Sequence, residues 1–515
     1  MWIGRSKSRT DKVGNITWPN KPIKALGVYF GIQYEECSKL NWQSKLTECQ
    51  SLIKNWLKRK LTMYGKVQII KSLLIPKFTY LFHSLVVPES IVKEINTMIF
   101  KFLWDNKQEK VKRATLIGNK LQGGIDMLDL DSYITSLKLK WVKALTDESE
   151  ANWKLIPKRL LKDFGDNFLI FYCNTDTIKS LNCSNVTEFY QELIKIWIKT
   201  RDLHKENQNL TFEQIRKQII WGNRFIKIKN QCLFFKTWIK SNIYFLNDLL
   251  NDQGEVDQNV ILNKLVDKRN CVVELNLLFK ALPLAWKQTM KTFHSSQTKI
   301  KTEKRLKINN KPFELMDSKT IYQILVNKVF IKPATHSYWS NKYETKLNWN
   351  DIYKFITRLP DNRYKQFKFR VINMIFTSKE TRYKWKMVSS PLCNKCNKIE
   401  DYQHLFIDCM AVNVFWEKIL YIFQECGIQR NIRRLDILIF GYKISQEEYF
   451  YINVILTIVG FSIYKAYFCS NNWSNKFNIL KLFKTEFEII YQYFKYKKTK
   501  VNFFDKILQL LKDIY

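Results

Sequence analysis

Cys393 and Cys396 are separated by two residues, His404 follows after seven more, and Cys409 after a further four. This C-x2-C-x7-H-x4-C run supplies three thiolates and one imidazole, a donor set suited to Zn²⁺, and the close cysteine pair can pinch a metal from one tight turn. His404 and Cys409 lie at the two ends of a helix-like stretch, His404-Leu405-Phe406-Ile407-Asp408-Cys409. Four protein ligands fill a tetrahedral ion and leave no open position for water, so the expected zinc is structural rather than catalytic. No other chemistry is legible, and no catalytic residue is expected. The chain has no Gly-x-Ser-x-Gly elbow, His-Glu-x-x-His run or dinucleotide fingerprint. His83, His204, His294 and His336 are dispersed and read as structural or surface residues. Gly123-Gly124 lacks the Lys-Ser/Thr ending of a phosphate loop and reads as a tight turn, and Asp129 and Asp131, flanking Leu130, read as a turn cap.

The elements that must carry this module belong to a long, helix-prone chain. Its 515 residues exceed one core and suggest roughly two to four domains. A hydrophobic content of 46% with 15% aromatics excludes a disordered chain, and only 14 glycines and 10 prolines favour helices over turn-dense β architecture. The eight cysteines outside the run show no paired spacing, which fits a reducing, intracellular compartment. The N-terminus lacks the apolar core of a signal peptide. Tyr449 to Tyr464 is almost continuously apolar but short of the roughly 20 residues a spanning helix needs, so a buried helix is expected and no membrane partner.

Net charge is +38, from 85 basic against 47 acidic residues. That surplus points to a polyanion, RNA or DNA, whose counterions are released on contact. Lysine outnumbers arginine roughly fourfold, as AT-rich coding alone would produce, but such coding does not explain the scarcity of acidic residues.

Lys24-Ala25-Leu26-Gly27-Val28-Tyr29-Phe30-Gly31 reads as a short strand after a turn at Pro19 and Pro22. From Asn41, Leu46, Cys49, Ile53, Trp56, Leu57, Leu61 and Tyr64 recur at helical spacing; Gly65 breaks the pattern, and a second basic helix opens at Val67 and ends near Pro76. Glu48 is the only acidic residue between Asn41 and Pro88, so these helices expose almost only positive charge, a surface able to cradle a duplex backbone. Lys299 to Lys311 reads as a linker, and a loop is expected near Asn251–Gly254. The aromatics of Phe234–Trp238 and Tyr491–Lys497 alternate with lysine; core packing is their plainer explanation, base stacking the other.

The chain resembles the C-terminal part of LINE-type non-LTR retrotransposon reverse transcriptases. Lys24–Gly31 is similar to the strand following the polymerase palm, and Trp56–Leu61 with Thr62-Met63-Tyr64-Gly65-Lys66-Val67 to the start of the thumb. Phe102-Leu103-Trp104 followed by Gly123-Gly124-Ile125 matches landmarks just beyond it, and Trp221-Gly222-Asn223-Arg224 with Asn247-Asp248-Leu249-Leu250 resembles the helical connector. The Cys/His run, with Phe415-Trp416 after it and Phe440-Gly441 beyond, resembles the family's C-terminal zinc module. The likeness covers nearly the whole chain. Family polymerases hold two Mg²⁺ ions with palm aspartates that include an adjacent pair, and no Asp-Asp dipeptide occurs here.

The resemblance implies a chain that starts past the chemistry, with palm and endonuclease upstream of Met1. The expected organisation is mainly α and multi-domain: residues 1–36 a remnant of the palm-to-thumb β segment, 37–150 a thumb-like basic domain, 151–345 a helical connector, 346–420 the zinc module and 421–515 a C-terminal helical region. The expected function is non-catalytic RNA or DNA binding by a truncated element in a nuclear or cytoplasmic ribonucleoprotein, with structural Zn²⁺ and no small-molecule substrate. Lys54, Lys58, Arg59, Lys60, Lys66 and Lys71 are the implied phosphate contacts. The alternatives are the C-terminal portion of an active RNA-directed DNA polymerase encoded upstream, and a zinc-scaffolded interaction protein.

Overall fold

The computed structural model describes residues 21–31, 33–201, 210–251, 253, 255–292, 306–344, 347–428, 430–469, 478–497 and 502–513. The turn at Pro19, the segment Met1–Gly4, His204, His294, Asp252 and Gly254 lie outside them. The architecture is predominantly helical, with short antiparallel hairpins as its only sheets among the described residues.

The first hairpin pairs Ile23–Ala25 with Val28–Phe30. Lys24–Gly31 is therefore two strands rather than one, because Leu26 and Gly27 both take positive φ (48° and 83°) and fold the chain back. Asn41, on the Tyr34–Leu57 helix, ties to this hairpin: its side chain accepts from the Tyr29 N–H at 2.8 Å and donates to the Tyr29 carbonyl at 2.9 Å.

The next boundaries also differ from the sequence reading. Thr62 caps the Met63–Ile69 helix by accepting from the Gly65 N–H at 3.1 Å, so Gly65 sits in the first turn and the break falls earlier. A π-helical turn, Ile70–Leu74, follows, and Pro76 opens the Pro76–Ser84 helix, where its missing N–H costs nothing.

Packing divides the chain into two compact units that do not follow the five linear segments: Met1–Lys45, Pro76–Glu94 and Asp129–Lys328 form one, and Leu46–Ile75, Ile95–Leu128 and Val329–Tyr515 the other. The first is organised around tryptophans whose indole N–H groups are satisfied. Trp197 donates to the Phe171 carbonyl at 2.6 Å, Trp221 to that of Ile243 at 2.8 Å, and Trp238 to the Glu274 carboxylate at 2.7 Å. Phe234 and Phe235 pack against the same core, so the Phe234–Trp238 aromatics are core residues. Asp129 N-caps the Leu130–Thr146 helix, accepting from the Ser132 N–H at 3.0 Å, as the turn-cap reading expects. Residues 306–311 are not a linker: Lys307–Ile308 pairs with Lys311–Pro312, and Leu306 and Ile308 are buried. Residues 299–305 lie outside the described ones.

The second unit is built on the Phe450–Cys469 helix, which packs against Ile479–Tyr496. Glu447–Phe468 is long and apolar enough to cross a membrane, yet 72% of its most apolar stretch is buried within the protein. Its polar side chains are drawn inward: Asn453 accepts from the Tyr442 N–H at 2.7 Å and donates to the Tyr442 carbonyl at 2.9 Å, and Thr457 donates to the Asn453 carbonyl. Buried Glu486 accepts from the Tyr364 hydroxyl and from Lys465, both at 2.7 Å.

Candidate metal centre

The four candidate metal ligands are delivered by a hairpin turn, a π-helical turn and a helix start. Leu392 and Ile399 bridge antiparallel, Cys393 N–H donates to the Lys398 carbonyl at 2.8 Å, and Asn397 takes the left-handed conformation (φ 56°) that closes the knuckle. This curl points Cys393 and Cys396 to the same side. Asp401 caps the following segment, accepting from the His404 N–H at 2.7 Å, and His404 opens the π-helical turn His404–Asp408. Cys409 then sits at the N-cap of the Met410–Glu425 helix, where the helix dipole favours a thiolate.

All four residues expected from the spacing converge. Their ligand atoms lie within 4.8 Å of one another. Cys409 Sγ is 3.8 Å from both Cys393 Sγ and Cys396 Sγ, and Cys396 Sγ is 3.2 Å from His404 Nε2. Two sulfurs each about 2.3 Å from one tetrahedral ion stand about 3.8 Å apart, so the set fits a single metal ion. Cys393, His404 and Cys409 are buried and Cys396 half-buried.

Electrostatics favour the same conclusion. Burial raises the Cys393 thiol, and burial with the neighbouring thiols raises Cys409 well above the ordinary range. Burial also opposes ionisation of Cys396, but the Met410 N–H and the adjacent sulfurs outweigh it and hold that thiol below its usual value. Three thiols at this separation cannot all ionise without a cation among them.

The knuckle is braced by residues that the ligand spacing does not reveal. Lys379 donates its N–H to Glu400 at 3.2 Å and its ammonium to the Leu392 carbonyl at 3.0 Å, and the Tyr467 hydroxyl also bonds Glu400. Trp416 N–H donates to the Phe406 carbonyl at 2.7 Å, fixing the π-helical turn on the helix that follows.

The implied phosphate contacts divide. Lys54, Lys58, Arg59 and Lys60 are exposed, and none is paired with a carboxylate among the described residues. The Arg59 guanidinium lies 4.5 Å over the Trp56 ring. Lys71 is also exposed, with its ammonium disfavoured by partial burial and by Lys120, against the attraction of Asp126. Lys66 does not fit the role. It is 2% exposed, with its ammonium on the Asp105 carboxylate and 3.4 Å from the Leu103 carbonyl, so it has no free charge to offer a phosphate. In the Tyr491–Lys497 segment Phe494 is buried and Tyr496 exposed, while His83 stacks on Trp141 and His336 on Trp349.

No protein-family model matches this chain.

Proposed function

We propose that this chain holds one structural Zn²⁺ at Cys393, Cys396, His404 and Cys409 and binds RNA or DNA through its basic helices without catalysing a reaction. The cluster geometry carries the zinc reading. Sulfur-rich tetrahedral donor sets select zinc over oxygen-loving Mg²⁺ or Ca²⁺, and four protein ligands make the ion a folding element. Exposed Lys54, Lys58, Arg59, Lys60 and Lys71, with a net charge of +38, support the binding reading. On this reading the protein is the post-palm part of a LINE-type reverse transcriptase, acting in an intracellular ribonucleoprotein.

Binding then follows the phosphate backbone. If the five exposed basic residues each meet a phosphate, log affinity for a duplex falls with log salt at a slope of about −4 to −5. Fluorescence anisotropy across a salt series reads that slope. An affinity unchanged between low and physiological salt would remove the nucleic-acid reading, and primer extension by the purified chain would remove the non-catalytic one.

A further inference from the structure

Beside the metal module the chain reads Tyr383-Lys384-Trp385-Lys386-Met387, and all five residues are exposed. Trp197, Trp221, Trp238, Trp286, Trp339 and Trp416 are fully buried, whereas Trp385 and, in the other unit, Trp153 are exposed. Trp385 is 52% exposed, Tyr383 47% and Met387 66%.

The segment is closed by backbone hydrogen bonds. The Lys379–Lys384 helix ends in a closed turn in which Met387 N–H donates to the Arg382 carbonyl and Lys386 N–H to that of Tyr383, both at 2.8 Å, with Lys386 in the left-handed conformation (φ 56°). The same helix is fixed to the knuckle by the Glu380 N–H, which donates to the Glu400 carbonyl at 3.1 Å. Charge is arranged around the rings. The Lys110 ammonium lies 5.4 Å from the Trp385 ring centroid. Glu380 pairs with Lys384 at 2.6 Å, whereas Lys110 and Lys386 have no carboxylate partner among the described residues.

We infer that the exposed Trp385 ring is a stacking platform for single-stranded nucleic acid, receiving a base, with Lys386 and Lys110 meeting the adjoining phosphates. A protein partner would require a contiguous apolar core, from which charged residues are depleted; here Trp385 lies between Lys384 and Lys386, with the Lys110 ammonium against its ring. A single strand presents flat bases beside a phosphate on every nucleotide, which an exposed ring bordered by basic side chains complements. The surface rests on the nucleic-acid reading above and adds to it a preference for unpaired strands at a defined place.

The test compares the full zinc-loaded chain with Trp385→Ala and Trp385→Phe on a single-stranded RNA, on the same length of abasic sugar-phosphate strand, and on a duplex. The expected result is a loss of about 5- to 150-fold for Trp385→Ala on the single strand, the range of one aromatic–base stack, with Trp385→Phe close to wild type. On the abasic strand and the duplex the three proteins should agree, and zinc content should be equal. Equal single-strand affinity for wild type and Trp385→Ala would overturn this inference alone. So would an equal loss on the abasic strand, which would assign Trp385 to folding or charge placement. Absence of binding to all three ligands by the wild-type chain would overturn the proposed function as well.

Discussion

The Lys368 ammonium donates to the Leu438 carbonyl at 2.7 Å and reaches the Ile439 carbonyl at 3.1 Å, capping the last turn of the Leu435–Phe440 helix from inside the core. Lys368 is 1% exposed and has no carboxylate partner among the described residues. Burial alone pushes its pKa down to about 7.

This makes stability depend on pH in a set direction. The native state releases the Lys368 proton near pH 7, whereas an unfolded lysine keeps it until about 10.4. Between those values the unfolded state binds more protons, so the Lys368 contribution becomes more favourable as pH rises. The urea-unfolding free energy of wild type minus that of Lys368→Met should rise from pH 7 towards pH 10, with a slope of at most about 1.4 kcal/mol per pH unit. A flat difference would mean that the buried amine does not change charge.

Cys393→Ser should lower the zinc content from about one equivalent per chain, because a serine hydroxyl is a poor zinc ligand. Chelation of the wild-type protein should have the same consequence for stability, since the free energy of metal binding is folding free energy. Metal analysis together with thermal unfolding checks both. Zinc unchanged in Cys393→Ser would take Cys393 out of the ligand set.

Lys66 and its exposed neighbours should separate cleanly. Lys66→Met should leave duplex affinity within about twofold, because the ammonium faces Asp105 rather than solvent. Replacing Lys54, Lys58, Arg59 and Lys60 together by alanine should weaken binding and make the salt slope shallower by up to about 3.6, since each phosphate left unneutralised removes about 0.9. A large drop in affinity in Lys66→Met at unchanged stability would restore Lys66 as a phosphate ligand.

How much could be read in advance follows from the range of each interaction. The Cys/His cluster was legible because its four residues fall between Cys393 and Cys409, where spacing and donor chemistry suffice. The helical class was legible from composition, and the buried helix was legible from the almost continuously apolar run Tyr449 to Tyr464, which the structure extends to Phe450–Cys469. Lys66 was not, since its place inside the core depends on Asp105, 39 residues away. The start of the Met63–Ile69 helix turned on one hydroxyl, Thr62, outweighing the helix-breaking tendency of Gly65. Residues 306–311 look polar and linker-like, yet Leu306 and Ile308 supply enough apolar surface to anchor a hairpin in the core.

The Gly123-Gly124 turn gives the sharpest packing test. Gly123 takes φ 92°, and Gly124 passes so close to the Gly118 carbonyl that an added Cβ would lie 1.9 Å from its oxygen. That oxygen already accepts the Asp126 N–H at 3.0 Å, and a Cβ added at Gly118 would in turn lie 2.2 Å from the Phe330 ring, so the turn is closely packed on both sides. Gly124→Ala should therefore cost at least about 3 kcal/mol in urea unfolding, the upper part of the range for overpacking. Gly427→Ala is the matched control. Gly427 has positive φ (76°), but nothing lies within 4 Å of an added Cβ, so only backbone strain of about 1 kcal/mol applies. Equal destabilisation in the two variants would show that the Gly118–Gly124 turn opens to accept a side chain, and that its glycines serve conformation rather than close approach.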